Sequence, residues 1–224
     1  MSRFERQMPI VGDEGQRRIM SAKVGVAGCG GLGVHVITAL AEAGVCRFVL
    51  CDHDVPDITN LNRQFIYAAG DMRPKSMISA EWVLALNPAA DVEAVCEPVS
   101  DGNQDMFAGC DAIVDCLDSF EARMLLDDYS QRSGIPLVHA GVSGMHGQLY
   151  VSIPGKTPSL RNVLGTARDR AGPVPSVGAA VMALAGMEAM EAIRVVSGMR
   201  SPCEGVLTTI DLSGYSMDRA PIDM

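Results

Sequence analysis

Lysine is almost absent from this chain of 224 residues, which carries only Lys23, Lys75 and Lys156 and a formal net charge of −9. No basic run occurs, which argues against nucleic acid as the main partner. The seven cysteines form no CxxC pair and their number is odd, so neither a zinc site nor a disulfide framework is expected. Cys46, Cys51, Cys96 and Cys116 fall in apolar runs, where cysteine serves as a small hydrophobe in a reducing compartment. A signal peptide is missing from the amino terminus. The longest apolar stretch, 177–187, is too short to span a bilayer and is followed by Glu188. No membrane and a cytoplasmic location are the expectation. Scattered His35, His53, His139 and His146 offer no Ser-His or Cys-His pair and read as structural.

What is present is an α/β alternation. A short helix over 14–21 leads into a strand at 23–27, a helix at 31–43 and a strand at 46–51. A helix at 75–86 stops at Asn87-Pro88, strands follow at 92–96 and 112–116, then a helix at 120–133 and a strand at 136–139. This order predicts a Rossmann-like, doubly wound, mostly parallel sheet with its ligand at the carboxyl ends of the strands. Alternation at 148–153 suits an antiparallel strand, 155–176 reads as a long loop, and a helix at 177–196 and a strand at 205–211 complete an antiparallel extension. We expect one domain: a helical arm (1–22), a nucleotide-binding core (23–140) and the extension (141–224).

Gly28-x-Gly30-x-x-Gly33 lies between a strand and a helix, the context in which this motif cradles phosphate. Asp52 ends the second strand 19 residues after Gly33, where a carboxylate accepts hydrogen bonds from ribose hydroxyls. A tight structural turn without nucleotide is the plain alternative, and the motif does not separate NAD, FAD and ATP. Asn60, Arg63 and Gln64 follow within five residues, and Lys75 begins a helix. These cations suit phosphate handling if the segment folds over the turn, and a solvated surface segment if it does not.

Taken together the motifs resemble the ThiF/MoeB/HesA family, relatives of ubiquitin-activating enzymes. Arg3-Phe4-Glu5-Arg6-Gln7 with Gly12 and Gly15-Gln16 looks like that family's opening segment. The glycine turn, Asp52, Asp54, Asn60–Gln64 and Lys75 follow in the family's order, then Asp115-Cys116-Leu117-Asp118 with Arg123, Pro136-Leu137-Val138 and Gly147-Gln148. The resemblance implies ATP- and magnesium-dependent adenylation of the carboxyl-terminal glycine of a small ubiquitin-like sulfur-carrier protein ending in Gly-Gly. It further implies nucleotide contacts from Gly28, Gly30, Gly31, Leu32, Gly33, Asp54, Cys116 and Leu117, ribose on Asp52, and phosphates on Asn60, Arg63, Gln64 and Lys75. Magnesium would sit on Asp118, although Asp118 also suits the N-cap of the next helix and Asp115 a local turn cap. Arg6 would reach into a partner subunit's site, implying a homodimer.

The chain departs from many relatives in lacking two zinc-binding CxxC pairs, and no cysteine occurs in 155–176, so no thioester of its own is expected. Arg161, Arg168 and Arg170 of that loop suit an acidic carrier, or plain solvation. Other readings are an NAD-dependent oxidoreductase, which leaves Arg63, Lys75 and Asp118 unexplained, a catalytically silent subunit, and a tRNA-modifying or peptide-adenylating relative.

Overall fold

The computed structural model describes residues 3–169, 172 and 174–223. Its centre is one eight-stranded sheet. The strands are β1 (Lys23–Ala27), β2 (Arg47–Cys51), β3 (Asp91–Val95), β4 (Ala112–Asp115), β5 (Leu137–Ser143), β6 (His146–Ser152), β7 (Val206–Asp211) and β8 (Ser216–Pro221). They lie in the order β3-β2-β1-β4-β5-β6-β7-β8. The first five pair in parallel and the last three antiparallel. Chain order reverses between β1 and β4, the place where an open α/β sheet opens a crevice at its carboxyl ends.

Side chains alternate across the sheet with period two. Val24, Val26, Phe48, Leu50 and Val114 face one core, together with α2 (Gly31–Ala43) and α6 (Gly178–Ser197). Ala27, Val49, Ile113 and Leu137 face the other, with α4 (Phe120–Ser133). Both faces of the central parallel strands β1, β2 and β4 are therefore covered, which accounts for their largely apolar runs, whereas the edge strand β3 is partly exposed. The helix α3 (Lys75–Leu86) packs beside α2 and β3.

The βα core matches the expected boundaries closely, and the ends do not. α1 spans Met8–Ser21 rather than 14–21, because Gly12 at φ +74° bends the chain and joins two helical pieces. β5 runs on to Ser143, since its hairpin with β6 keeps it hydrogen-bonded past the parallel pairing with β4. Inside the expected loop 155–176 lies α5 (Leu160–Leu164), whose Leu160 is fully buried and whose first N–H groups bond to Asp127 on α4. β8 is an exposed edge strand without apolar alternation, so sequence periodicity did not reveal it.

Glycine is required by contact at two points under the crevice. A Cβ on Gly33 would lie 2.0 Å from the Gly28 carbonyl oxygen, and one on Gly28 would lie 2.6 Å from that of Cys116, with φ +93° besides. These contacts set how closely α2 approaches β1 and β4. Gly33→Ala is expected to cost about 3 kcal/mol, the upper end for overpacking against backbone, read as a lower denaturant midpoint at unchanged slope.

Candidate functional site

A cavity of about 1160 Å³ opens over the carboxyl ends of the central strands. It brings together Gly28, Gly30, Gly31, Leu32, Asp52, Asp54, Asn60, Arg63, Gln64, Lys75, Cys116, Leu117 and Asp118. Gly33 sits beneath the turn instead, where it is needed for packing. Arg6 is exposed and does not line this cavity of its own chain.

The glycine turn is held from both sides. Gly28 N–H donates to the Cys51 carbonyl at 2.8 Å, and the Tyr67 hydroxyl donates to the Cys29 carbonyl at 2.6 Å. Asp52 takes the Cys29 N–H on one oxygen at 2.7 Å and the Asp54 N–H on the other at 2.8 Å. Burial raises the Asp52 pKa against those two bonds. The carboxylate is thus locked beside the turn with lone pairs to spare. The amino terminus of α2, capped by Gly30 without a side-chain hydrogen bond, presents free N–H groups to the same space.

The following segment folds over the turn rather than into solvent. A short 3-10 helix (Ile58–Asn60) is closed by Asp57, which accepts the Thr59 N–H, and by Asn60, which accepts the Asp57 N–H. Arg63 donates through Nη1 to the Thr59 carbonyl and the Asn62 side chain, and its aliphatic stem lies along Gly31. Gln64 is buried with its Oε1 unpartnered. The approach of α6 seals this segment, since a Cβ on Gly178 would lie 2.3 Å from the Asn62 carbonyl oxygen. Lys75 is only 5 % exposed, and its Nζ pairs with Asp54 at 3.1 Å.

Beyond β4, Asp118 is exposed and makes no hydrogen bond or ion pair among the described residues. It is not the helix cap. Ser119 caps α4, and Asp169 reaches across from the long loop to accept the Phe120 N–H at 2.8 Å. Asp52, His53 and Asp54 are the one trio of potential metal ligands close together among the described residues. Arg161 is engaged with Asp128 at 2.5 Å, and Arg168 donates to carbonyls of its own loop. Arg170 lies outside the described residues.

A buried polar group behind the cavity was not foreseen. Asp115 Oδ1 accepts the Leu117 N–H at 3.1 Å, and Oδ2 lies 2.7 Å from His139 Nδ1 and 3.5 Å from Arg123 Nε. The Arg123 contact is an ion pair without hydrogen-bond geometry. Arg123 also donates to the Leu117 carbonyl. Glu188 of α6, fully buried, accepts from the Cys116 thiol at 3.6 Å, and its Oε1 has no partner. The signal was faint: Glu188 is one of two acids, with Glu191, within an otherwise largely apolar helix.

A family model described as the ThiF family matches residues 4–224. A SAMP-activating enzyme E1 of Haloferax volcanii is 40 % identical over 158 residues, covering 69 % of this chain and 58 % of the relative. Against that first relative the chain therefore spans less than two thirds of its length. A sulfur carrier protein adenylyltransferase of Thermus thermophilus is 33 % identical, covering 94 % of this chain and 83 % of the relative. Among solved structures, E. coli MccB with ATP superposes at a TM-score of 0.88 with 20 % identity, over 99 % of this chain and 72 % of that one, which shows the fold.

The Glu188 carboxyl provides a test of this arrangement. Burial first, then the Asp115 charge, push its pKa well above 4.5, outweighing Cys116, Arg123 and the Ala140 backbone. The folded state then holds a proton that the unfolded chain releases above its ordinary value, so stability falls as pH rises from 4.5 toward the folded value. Glu188→Gln is expected to flatten that slope, by up to about 1.4 kcal/mol per pH unit. Denaturant titrations between pH 5 and roughly pH 8 check it against the wild type.

Proposed function

The chain belongs to the ThiF family, and from that premise we propose that it adenylates the carboxyl-terminal glycine of a small ubiquitin-like sulfur-carrier protein with ATP. One observation carries this reading. Arg63 and Lys75, the turn held by Asp52, and Asp118, without a partner among the described residues, all border one cavity. A dinucleotide's diphosphate could also use the two cations, but hydride transfer gives no role to Asp118. Adenylation uses all of them. The names borne by relatives from Thermus thermophilus and Bacillus subtilis, both sulfur-carrier adenylyltransferases, support the same reading.

The nucleophile is a carboxylate with a reference pKa of about 3.5, ionised already, so no general base is required. It attacks the α-phosphorus, the bridging P–O bond to the β-phosphate breaks, and pyrophosphate leaves with the electron pair. The barrier lies in bringing two anions together, so positioning and charge neutralisation are the chain's task. Asp52 receives the ribose hydroxyls, and the α2 amino terminus with Asn60 and Gln64 receives the phosphates. Lys75 exchanges Asp54 for a phosphate oxygen, while the guanidinium of Arg63 offers a planar fork that lysine cannot imitate.

Asp118 supplies a hard oxygen donor with no protein partner, which fits magnesium bound by one carboxylate and phosphate oxygens. Such an ion, when bound, adds positive charge at the phosphates. Arg6, exposed on its own chain, enters the cavity of a second copy in a homodimer. Activation ends at the acyl-adenylate, because the cysteines at the cavity are poor nucleophiles. Cys29 and Cys116 are fully or nearly buried with pKa values pushed well up, and Cys51 is pushed up to about 12. Cys203 is buried away from the cavity, with its pKa also raised by burial. All seven thiols are unpaired, in keeping with a cytoplasmic protein.

ATP–pyrophosphate exchange with carriers ending in Gly-Gly tests the activity. Lys75→Ala and Asp118→Ala are each expected to lower it about 10²–10³-fold. Exchange unaffected by either, or tight nicotinamide binding in place of exchange, would sink the assignment. The dimer is checked by mixing two inactive proteins, Arg6→Ala and Lys75→Ala. Equal amounts are expected to recover roughly a quarter of wild-type exchange, since half the dimers are mixed and one of their two sites is whole.

A further inference from the structure

Gln148 of β6 also lines the cavity, on the side of β4 away from Asp52, and nothing in the adenylation scheme uses it. Its side chain ends a buried line of polar groups. Asp115, fully buried, has one oxygen occupied by the Leu117 N–H and the other 2.7 Å from His139 Nδ1. A carboxylate in that position only accepts, so Nδ1 carries the proton. His139 is itself fully buried, and burial lowers its pKa despite Asp115, so the ring is neutral and Nε2 is a bare acceptor. Gln148 Nε2 stands 2.9 Å from that atom and must donate to it.

The amide is therefore fixed against flipping. Its NH₂ group faces His139, and its carbonyl oxygen has no partner among the described residues. Gly141 on β5 holds the stem close, since even a Cβ there would press on Gln148 Cγ at 3.2 Å. Sheet order then locates the acceptor. The glycine turn and Asp52 stand over β1 and β2, Asp118 follows β4, and Gln148 stands over β6 beside Thr209 of β7. A tail that entered from the β7 side of the cavity toward Asp118 would pass Gln148 and present backbone N–H donors to it.

Resting on the adenylation reading, we propose that the Gln148 carbonyl accepts a hydrogen bond from a backbone N–H of the incoming substrate tail, and that His139 and Asp115 are positioning residues which set its orientation. The pairing selects an extended tail with a free amide N–H near its end, whatever side chains it carries.

The test uses the full chain with a Gly-Gly carrier protein and with the same carrier bearing N-methylglycine at either of its last two positions. Exchange by the wild type with the unmodified carrier establishes the underlying reaction. Gln148→Met keeps the shape and removes the acceptor. Affinity for a nonhydrolysable ATP analogue, within twofold of wild type, shows that it folds and binds nucleotide. The KM for the carrier is expected to rise about tenfold. Methylation at one of the two positions is expected to cost the wild type a similar factor and Gln148→Met almost nothing. Wild-type exchange with an unchanged KM in Gln148→Met, or an equal methylation penalty in both proteins, overturns the role of Gln148 and leaves adenylation standing. Loss of nucleotide affinity in Gln148→Met assigns the acceptor to ATP instead and also overturns it. Absence of exchange by the wild type with every carrier removes the adenylation reading, and this inference with it.

Discussion

One buried carboxylate holds the far wall of the cavity together. Asp115 is the last residue of β4, and its two oxygens bind the backbone after it, a histidine on β5 and an arginine on α4. Burying a carboxylate costs several kcal/mol unless its lone pairs and charge are met. Here Arg123 meets the charge while Leu117 N–H and His139 meet the lone pairs. A further ionised acid nearby would overload that balance. Burial, and then Asp115 itself, accordingly push the Glu188 pKa well above the ordinary carboxylate range. Charge neutrality inside the sheet edge is thus shared among β4, α4, β5 and α6, and the wall loop carrying Cys116, Leu117 and Asp118 is fixed by the same bonds.

The cavity mouth has the opposite problem. Asp52, Asp54, Glu97, Asp118, Asp169, Asp211 and Asp218 border it, against Arg63, Lys75 and Arg123. A nucleotide triphosphate enters this space only if its charge is met locally. Lys75 is pre-placed by its ion pair with Asp54 and by its position at the start of α3. Lys75 is buried while Asp54 is largely exposed, so the amine is held in place and its partner stays accessible from the cavity. Arg63 is tethered through one nitrogen to the segment it closes, so the guanidinium is oriented before any ligand arrives. In a chain this acidic, the few cations act through where they are held.

How much of this was legible in the sequence follows from the range of the interactions. The strand–turn–helix units from Lys23 to Ser133 were readable because period, glycine and proline act locally, and helices such as Gly31–Ala43 and Lys75–Leu86 begin and end where expected. The glycine turn and 60–64 stood out for the same reason, and residues of both border one cavity; the roles expected of them come from the family resemblance. The Asp115–His139–Gln148 line was not. Its members are brought together by sheet pairing alone, and each taken singly looks like a residue within a strand. His139 reads as structural in the sequence, and the structure places it fully buried between Asp115 and Gln148. Asp118 gave two readings, and Ser119 as the cap of α4 removes one. α5 escaped notice because five residues carry no helical period, and β8 because neither of its faces is buried.

The long loop borders the cavity through Asp169, Val174 and Ser176. Its arginines suggested a landing surface for an acidic partner, yet Arg161 is spent on Asp128 and Arg168 on its own loop. The loop instead contributes a carboxylate. Asp169 caps the first N–H of α4, one residue from Ser119 and two from Asp118. An acid at a helix amino terminus is favoured by the free N–H groups and the dipole there. The same bond lays the loop along the cavity rim beside the exposed Asp118. At its other end, Ser176 bridges to Gly144 at the β5–β6 turn, and Gly178 packs onto Asn62. Among the described residues the segment is thus tied to both flanks of the crevice, through Asp169 on one side and Ser176 and Gly178 on the other.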